Sequence, residues 1–283
     1  MNVYKACFLL PALFLSACSS GIDENNGINN DTKPFRVESN IVARYDFNEG
    51  SGTIIHDTSY VDAPLDLTLS DLSSVEWQHG SLKLLSPSEI TSKGANGQDA
   101  RADKIYQYLE ASNELSIEAW VTPSGAEQIG ADEPARILTL SGDTSTQGFV
   151  LGQEADQWVG RVRTDTTAGY AGRPSLQSGA MSAGAALTHV VFTWSGTSKL
   201  MKIYVNGEFM DQLARPDYIA GINTDGSVNY VWDRGHSLRI GYERVAGDTT
   251  ITDTWLGELH FAAIYSQALS ADEVKQNYLA GPP

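Results

Sequence analysis

Two arginines one residue apart, Arg161 and Arg163 in the run QWVGRVRTDT, are the side chains whose type and spacing most clearly invite chemistry. In an extended segment Val159, Arg161 and Arg163 point to one side, so two guanidinium groups share a face. Planar guanidinium groups grip carboxylates and sulfates bidentately, which suits an acidic polysaccharide. The same spacing suits a solvated face on which each arginine pairs with a nearby acid, and the sequence leaves both readings open. Residues 164–178 and 216–234 form long segments rich in Tyr, Gly, Asn and Asp. Within them Tyr170, Tyr230 and Trp232 offer rings that can cover the apolar C–H side of a pyranose. For Trp232 the preferred reading is that it packs its loop onto the body of the domain.

Patterns of catalysis do not stand out. The sequence has no G-x-S-x-G elbow, no H-E-x-x-H and no phosphate-binding loop. Glu118 is alone on its strand-like run, and Asp272 and Glu273 open a helix. The five histidines, His56, His79, His189, His236 and His260, lack metal-ligand spacing. The expectation is a protein that binds and does not catalyse.

Most of the elements that must position these residues read as short strands. IVARYDF alternates Ile41, Ala43, Tyr45 and Phe47 against Val42, Arg44 and Asp46. LSIEAWV alternates Leu115, Ile117, Ala119 and Val121 against Ser116, Glu118 and Trp120. LTHVVFTW is apolar on both sides, as a central strand would be, and Trp120 and Trp194 read as core. Asn206-Gly207 divides KLMKIYVNGEFM into a hairpin, because both turn positions favour positive φ. Two helices are expected. One lies between Gln98 and Leu109, with Ala102, Ile105, Tyr106 and Leu109 on one face. The other follows Ser270, whose capping box with Glu273 and staple of Leu269 onto Val274 mark its start, and Gly281 marks its end. Many short strands with two isolated helices predict an all-β, antiparallel two-sheet sandwich with one or two short peripheral helices.

The 283 residues carry a formal charge of −16, which disfavours nucleic acid and anionic lipid surfaces as partners. Residues 1–17 read as an export signal: Lys5 precedes an apolar run too short to span a bilayer. Leu15–Cys18, LSAC, resembles a bacterial lipobox, which makes Cys18 the expected lipid-attachment residue. Ser19 after it resembles lipoproteins sorted to the outer membrane, so the expected location is the bacterial outer membrane or cell surface. The membrane would be touched through the lipid anchor only. Cys7 lies inside the signal and Cys18 carries the lipid, so the mature chain has no disulfide and no thiolate metal site. Residues 18–39, rich in Asn, Asp, Gly and Ser, read as a flexible tether about 20–25 Å in reach. Residues 40–283 form the domain, expected to be a monomer.

The stretches ARYDFNEGSGTIIHDTS, IEAWV, THVVFTW, KIYVNGE, LRIGYE and WLGELHFAAIYSQALSADEVKQNYLAG resemble, in content and order, a LamG-like jelly roll of the concanavalin A-like superfamily. The resemblance covers nearly everything from Ile41 to Gly281. It implies two antiparallel sheets of six or seven strands, one concave face, and first and last strands as neighbours. Relatives on this fold include sugar- and protein-binding modules, glycosidases and polysaccharide lyases. The hydrolases bear acids at alternating positions of one strand, a pattern not found here. The resemblance implies a membrane-anchored module recognising a glycan, or else an envelope protein partner without a sugar site. A divergent hydrolase or lyase is the third reading. No cofactor is required. The family also implies a structural Ca²⁺ near the loop after the first strand, with Asp57 as one ligand. Its second ligand position falls on His260 in GELH, where the family has Asp. Imidazole supplies no oxygen to Ca²⁺. The reading preferred here is therefore an Asp57–His260 hydrogen bond tying the terminal strands together.

Overall fold

Ile41–Tyr45 and Gly257–Tyr265 lie side by side and antiparallel, so the two ends of the domain meet within one sheet. The structure is a computed structural model that describes residues 33–131, 133–164, 175–214, 220–222, 228–230, 232 and 235–283. Lys33–Pro283 forms one compact unit. Among the described residues, no helix is long and apolar enough to cross a membrane.

The first sheet runs Glu208–Ala214, Leu200–Val205, Thr188–Ser195, Glu114–Pro123, Gly257–Tyr265, Ser81–Leu84 and Val75–Gln78, with Ile41–Tyr45 also paired to Gly257–Tyr265. The second runs Ser175–Gln177, Gln157–Val162, Thr146–Glu154, Ala135–Asp143, Ser237–Ile240, Ile90–Ser92, Leu67–Leu69 and Ile54–Ile55. Every pairing within the two sheets is antiparallel. Among the described residues each sheet has eight strands, where the resemblance implied six or seven. The extra strands, such as Ile54–Ile55, are too short to carry a readable period.

Leu115, Ile117, Ala119 and Val121 turn inward and meet Trp158, Val162 and Leu151 of the opposite sheet in one core. Burying a Leu, Ile or Val side chain contributes roughly 1.5–3 kcal/mol, so this alternation fixes the register of the strand. Gly160 lies where the second sheet approaches the Phe192 ring, and a Cβ there would collide with it. Asn206 and Gly207 close their hairpin at φ 52° and 76°.

The outward side of Glu114–Pro123 is buried as well, which its polar alternation does not foretell. Helix α2, Ala271–Ala280, roofs it, with Trp120, Val191, Phe261, Tyr265, Leu269 and Val274 in a second apolar cluster. Trp194 belongs to the inter-sheet core and Trp120 to this second layer. The capping box of Ser270 and Glu273 is present, and Gly281 ends the helix at φ 73°. Helix α1, Asp103–Ser112, starts later than the periodicity suggests. Residues before it are held in a bridge between Lys93 and Asp99, which consumes the chain as far as Ala100.

The folded unit also starts earlier than the composition suggests. Residues 33–39 belong to it and are not tether: Arg36 ion-pairs with Glu118, and the Val37 N–H donates to Asn277 Oδ1 at 2.8 Å. Gln276 also donates to the Phe35 carbonyl at 2.7 Å, Arg36 lies over the Phe261 ring, and Val37 packs against the second apolar cluster, contacts across long separations in sequence that no local pattern announces.

Candidate functional site

Arg161 sits on the outer face of the second sheet. In register across that face run Arg161, Val150, Thr139, Arg239, Thr91 and Thr68. Leu151, Leu138 and Leu238 alternate with this row and point into the core. The charges along the face are matched. Arg161 ion-pairs with Glu133. Arg136, wholly buried, stands 3.6 Å from both Glu133 and Asp253. Arg239 donates to Glu243 at 2.9 Å and to Asp99 at 3.3 Å, and Arg244 joins Asp99 and Glu89 at 2.7 Å each. Burial alone would raise the Asp99 carboxyl, but Lys93, Arg244 and Arg239 hold it below its ordinary value. This is an ionic lattice built into the fold. It places Arg161 in the second of the two readings open from sequence, an arginine paired with a neighbouring acid.

The other residues expected around it do not converge there. Arg163 lies past the strand end; its carbonyl accepts from Trp232 Nε1 at 2.9 Å and its N–H donates to Gly148 at 2.7 Å. Trp232 is 2% exposed and packs edge-on against Tyr106 and Phe149, so it fastens its segment to the core and is not a sugar platform. Tyr230 contributes backbone pairing to Ala220, and its side chain falls outside the description. Tyr170 and Cys18 lie outside the described residues.

Asp57 and His260 do not bond to each other. His260 is the unpaired residue of a bulge between Leu259 and Phe261, which re-aims its ring. Its Nε2 meets Thr122 Oγ1 at 3.1 Å, and burial lowers its pKa against the opposing pull of Glu258. It fastens neighbouring strands of one sheet. Asp57 is a hub instead. Oδ1 accepts the N–H groups of Ser59 at 3.0 Å and Arg44 at 3.2 Å; Oδ2 accepts Leu65 N–H at 2.9 Å and the Lys104 ammonium at 2.5 Å. The donor set does not fit calcium: a buried ammonium already lies against the carboxylate, and His260 turns its nitrogen to Thr122.

The loop folded around Asp57 borders a cleft of about 400 Å³, lined by His56, Tyr60, Asp62 and Asp66 among others. Tyr60 is 94% exposed, the most open aromatic ring among the described residues. Tyr60 and Asp62 both hold left-handed backbone, at φ 56° and 50°. L-residues with large side chains adopt that region at a cost, and such strain gathers where a loop presents a ligand contact. Asp66 accepts Asp57 N–H at 2.9 Å and faces His56 Nδ1 at 3.2 Å; Asp62 accepts Tyr108 Oη at 2.8 Å. A second cleft of about 270 Å³ lies across Pro64 and Asp66, with Lys93, Arg101 and Lys104 on its walls. An open ring beside fixed carboxylate acceptors can stack on a sugar and take its hydroxyl protons in hydrogen bonds. The sequence segment HDTSYVDAPLD contains the Tyr60 ring and the carboxylates Asp57, Asp62 and Asp66, but nothing in its pattern reveals which side chain stays in solvent.

A laminin G family model, described as concanavalin A-like lectin/glucanases superfamily, matches residues 94–275. The loop 56–66 lies ahead of that stretch. Among solved structures, Trypanosoma rangeli sialidase in complex with difluorosialic acid is similar at a TM-score of 0.52 and 17% identity, over 85% of this chain and 33% of that one. The binding domain of botulinum neurotoxin DC in complex with SialylT is similar at 0.55 and 12% identity, over 86% of this chain and 52% of that one. At these identities the likeness is one of fold, and the chain spans about a third to a half of their length. No curated protein matches the chain.

Proposed function

The chain belongs to the concanavalin A-like lectin/glucanases superfamily, and from that premise we propose that it is a non-catalytic carbohydrate-binding module whose sugar site is the cleft at residues 56–66. The single observation that carries this reading is the almost wholly exposed Tyr60 on a left-handed loop beside carboxylate acceptors. That the neurotoxin binding domain of similar fold was solved with SialylT supports a glycan-binding module, and the site and ligand class are argued from this chain's own residues. The ligand is an uncharged glycan. The cleft is bordered by Asp62 and Asp66, and Arg161, the residue that would have selected acidic polysaccharide, is committed to Glu133. Cys18 carries the lipid that holds the domain at the outer membrane or cell surface, and the module works as a monomer. Radiolabelled palmitate incorporation that disappears in Cys18→Ala tests the anchor.

The binding test is a glycan array followed by titration of the best oligosaccharide. Tyr60→Ala weakens binding about tenfold or more, the usual effect of truncating a central aromatic contact, and leaves the melting temperature unchanged. Arg161→Ala leaves binding near the wild-type value. The reverse pattern places the site on the second sheet. Retention on no glycan, with a stable protein partner in pull-downs, favours an envelope protein-binding module, and release of reducing ends or unsaturated uronates indicates an enzyme.

A further inference from the structure

We propose that Lys104 is the resident cation of the loop 57–65, and that its ammonium holds the loop in shape without any divalent metal ion. The two ends of the loop converge on one carboxylate. Ser59 N–H and Leu65 N–H both donate to Asp57, from opposite sides of the segment that carries Tyr60. Such a hub concentrates negative charge in a place where its side chain has no solvent contact. Lys104, reaching over from helix α1 with its own side chain 7% exposed, supplies the compensating charge. Its Nζ also donates to Ser59 Oγ at 3.1 Å, and Ser59 Oγ in turn donates to the Val42 carbonyl at 3.2 Å on the first strand. The ammonium therefore links helix, loop and strand at one point. Burial alone would raise the Asp57 carboxyl, yet the bond from Lys104 and the backbone N–H groups bring it below its ordinary value.

A calcium ion needs six to eight oxygens, and here the carboxylate oxygens are already filled by donors. A second cation could approach only by displacing the ammonium or by meeting its charge at close range. An internal cation also has no dissociation constant: the loop keeps its shape whatever the metal content of the surroundings. This further step rests on the proposed cleft in one respect, namely that Tyr60 belongs to the ligand site.

Melting curves of the mature chain in millimolar CaCl₂ and in EDTA test it. The wild type melts at the same temperature in both. Lys104→Met leaves a buried unpaired carboxylate and lowers the melting temperature by roughly 5–15 °C. The double variant Lys104→Met/Asp57→Asn, with the charge removed from both sides, recovers at least half of that loss and serves if the single variant does not fold. Glycan titration adds a separate readout: EDTA leaves wild-type binding unchanged, and Lys104→Met weakens it severalfold. A wild-type melting temperature that rises with CaCl₂, or a double variant no more stable than the single, overturns the assignment. If the wild type binds no glycan, the cleft reading fails while the melting curves still decide the role of Lys104.

Discussion

Glu118→Ala costs the domain about 3–5 kcal/mol, the penalty for breaking a fully buried charge cluster by removing one member. The carboxylate is entirely out of solvent and collects donors from four separate parts of the chain. Arg36 pairs with Oε1 from the start of the folded unit, and His189 Nε2 lies 2.9 Å from the same oxygen. Tyr265 Oη donates to Oε2 at 2.7 Å and Asn277 Nδ2 at 2.8 Å. Alanine would strand all of these in the layer beneath helix α2. The loss is read as a lower midpoint in urea with an unchanged slope.

The same residue gives the protein a defined acid limit. Burial alone would raise the Glu118 carboxyl, but the His189 bond, the Arg36 charge and the Tyr265 hydroxyl hold it at about 2 against an ordinary 4.5. A carboxyl lowered on folding stabilises the native state at pH above its unfolded pKa. That contribution is lost as pH falls from about 4.5 through about 2, and it amounts to ~3 kcal/mol. Asp57, Asp99, Asp143 and Glu273 are lowered too and add to the acid slope. The difference between wild type and Glu118→Gln isolates this one: stability of the variant changes less between pH 4.5 and 2. Parallel curves for the two proteins would show that the cluster does not hold the charge.

Arg239→Met is the second large effect, about 3–5 kcal/mol, because it abandons Glu243 in the interior. Arg239 is 2% exposed and Glu243 fully buried, joined at 2.9 Å, with Ser141 accepting two further bonds from the same guanidinium nitrogen. Arg239→Met/Glu243→Met should recover most of the loss, since an apolar pair of similar volume replaces a buried ion pair at little net cost. Recovery identifies the lattice on the second sheet as structural. A double variant as unstable as the single would mean that the arginine acts through other partners.

The architecture was largely written in local pattern. The alternation in LSIEAWV, the Asn206-Gly207 turn and the Ser270–Glu273 box each depend on residues within a few positions of one another, and each appears in the structure. Pairings across long separations were not legible. Lys104 is 47 positions from Asp57, and only the fold makes it the partner in place of His260. Arg161 and Glu133 are 28 apart, so the ion pair that Arg161 makes is invisible in its local pattern. Trp232 is the exception: the sequence favours it as the anchor of its loop, and it lies in the core. Tyr60 reverses that lesson, because a lone tyrosine in a loop shows its exposure only once the loop is folded around Asp57.

A crystal structure of the protein with its best-binding oligosaccharide, grown in EDTA, shows where the sugar sits and what holds the loop. The expected result is a sugar ring stacked on Tyr60 with hydroxyl groups on Asp62 or Asp66, and the Lys104–Asp57 pair intact beneath it. A sugar seated against Arg161 and Arg239 on the second sheet, with the Tyr60 ring untouched, would contradict it.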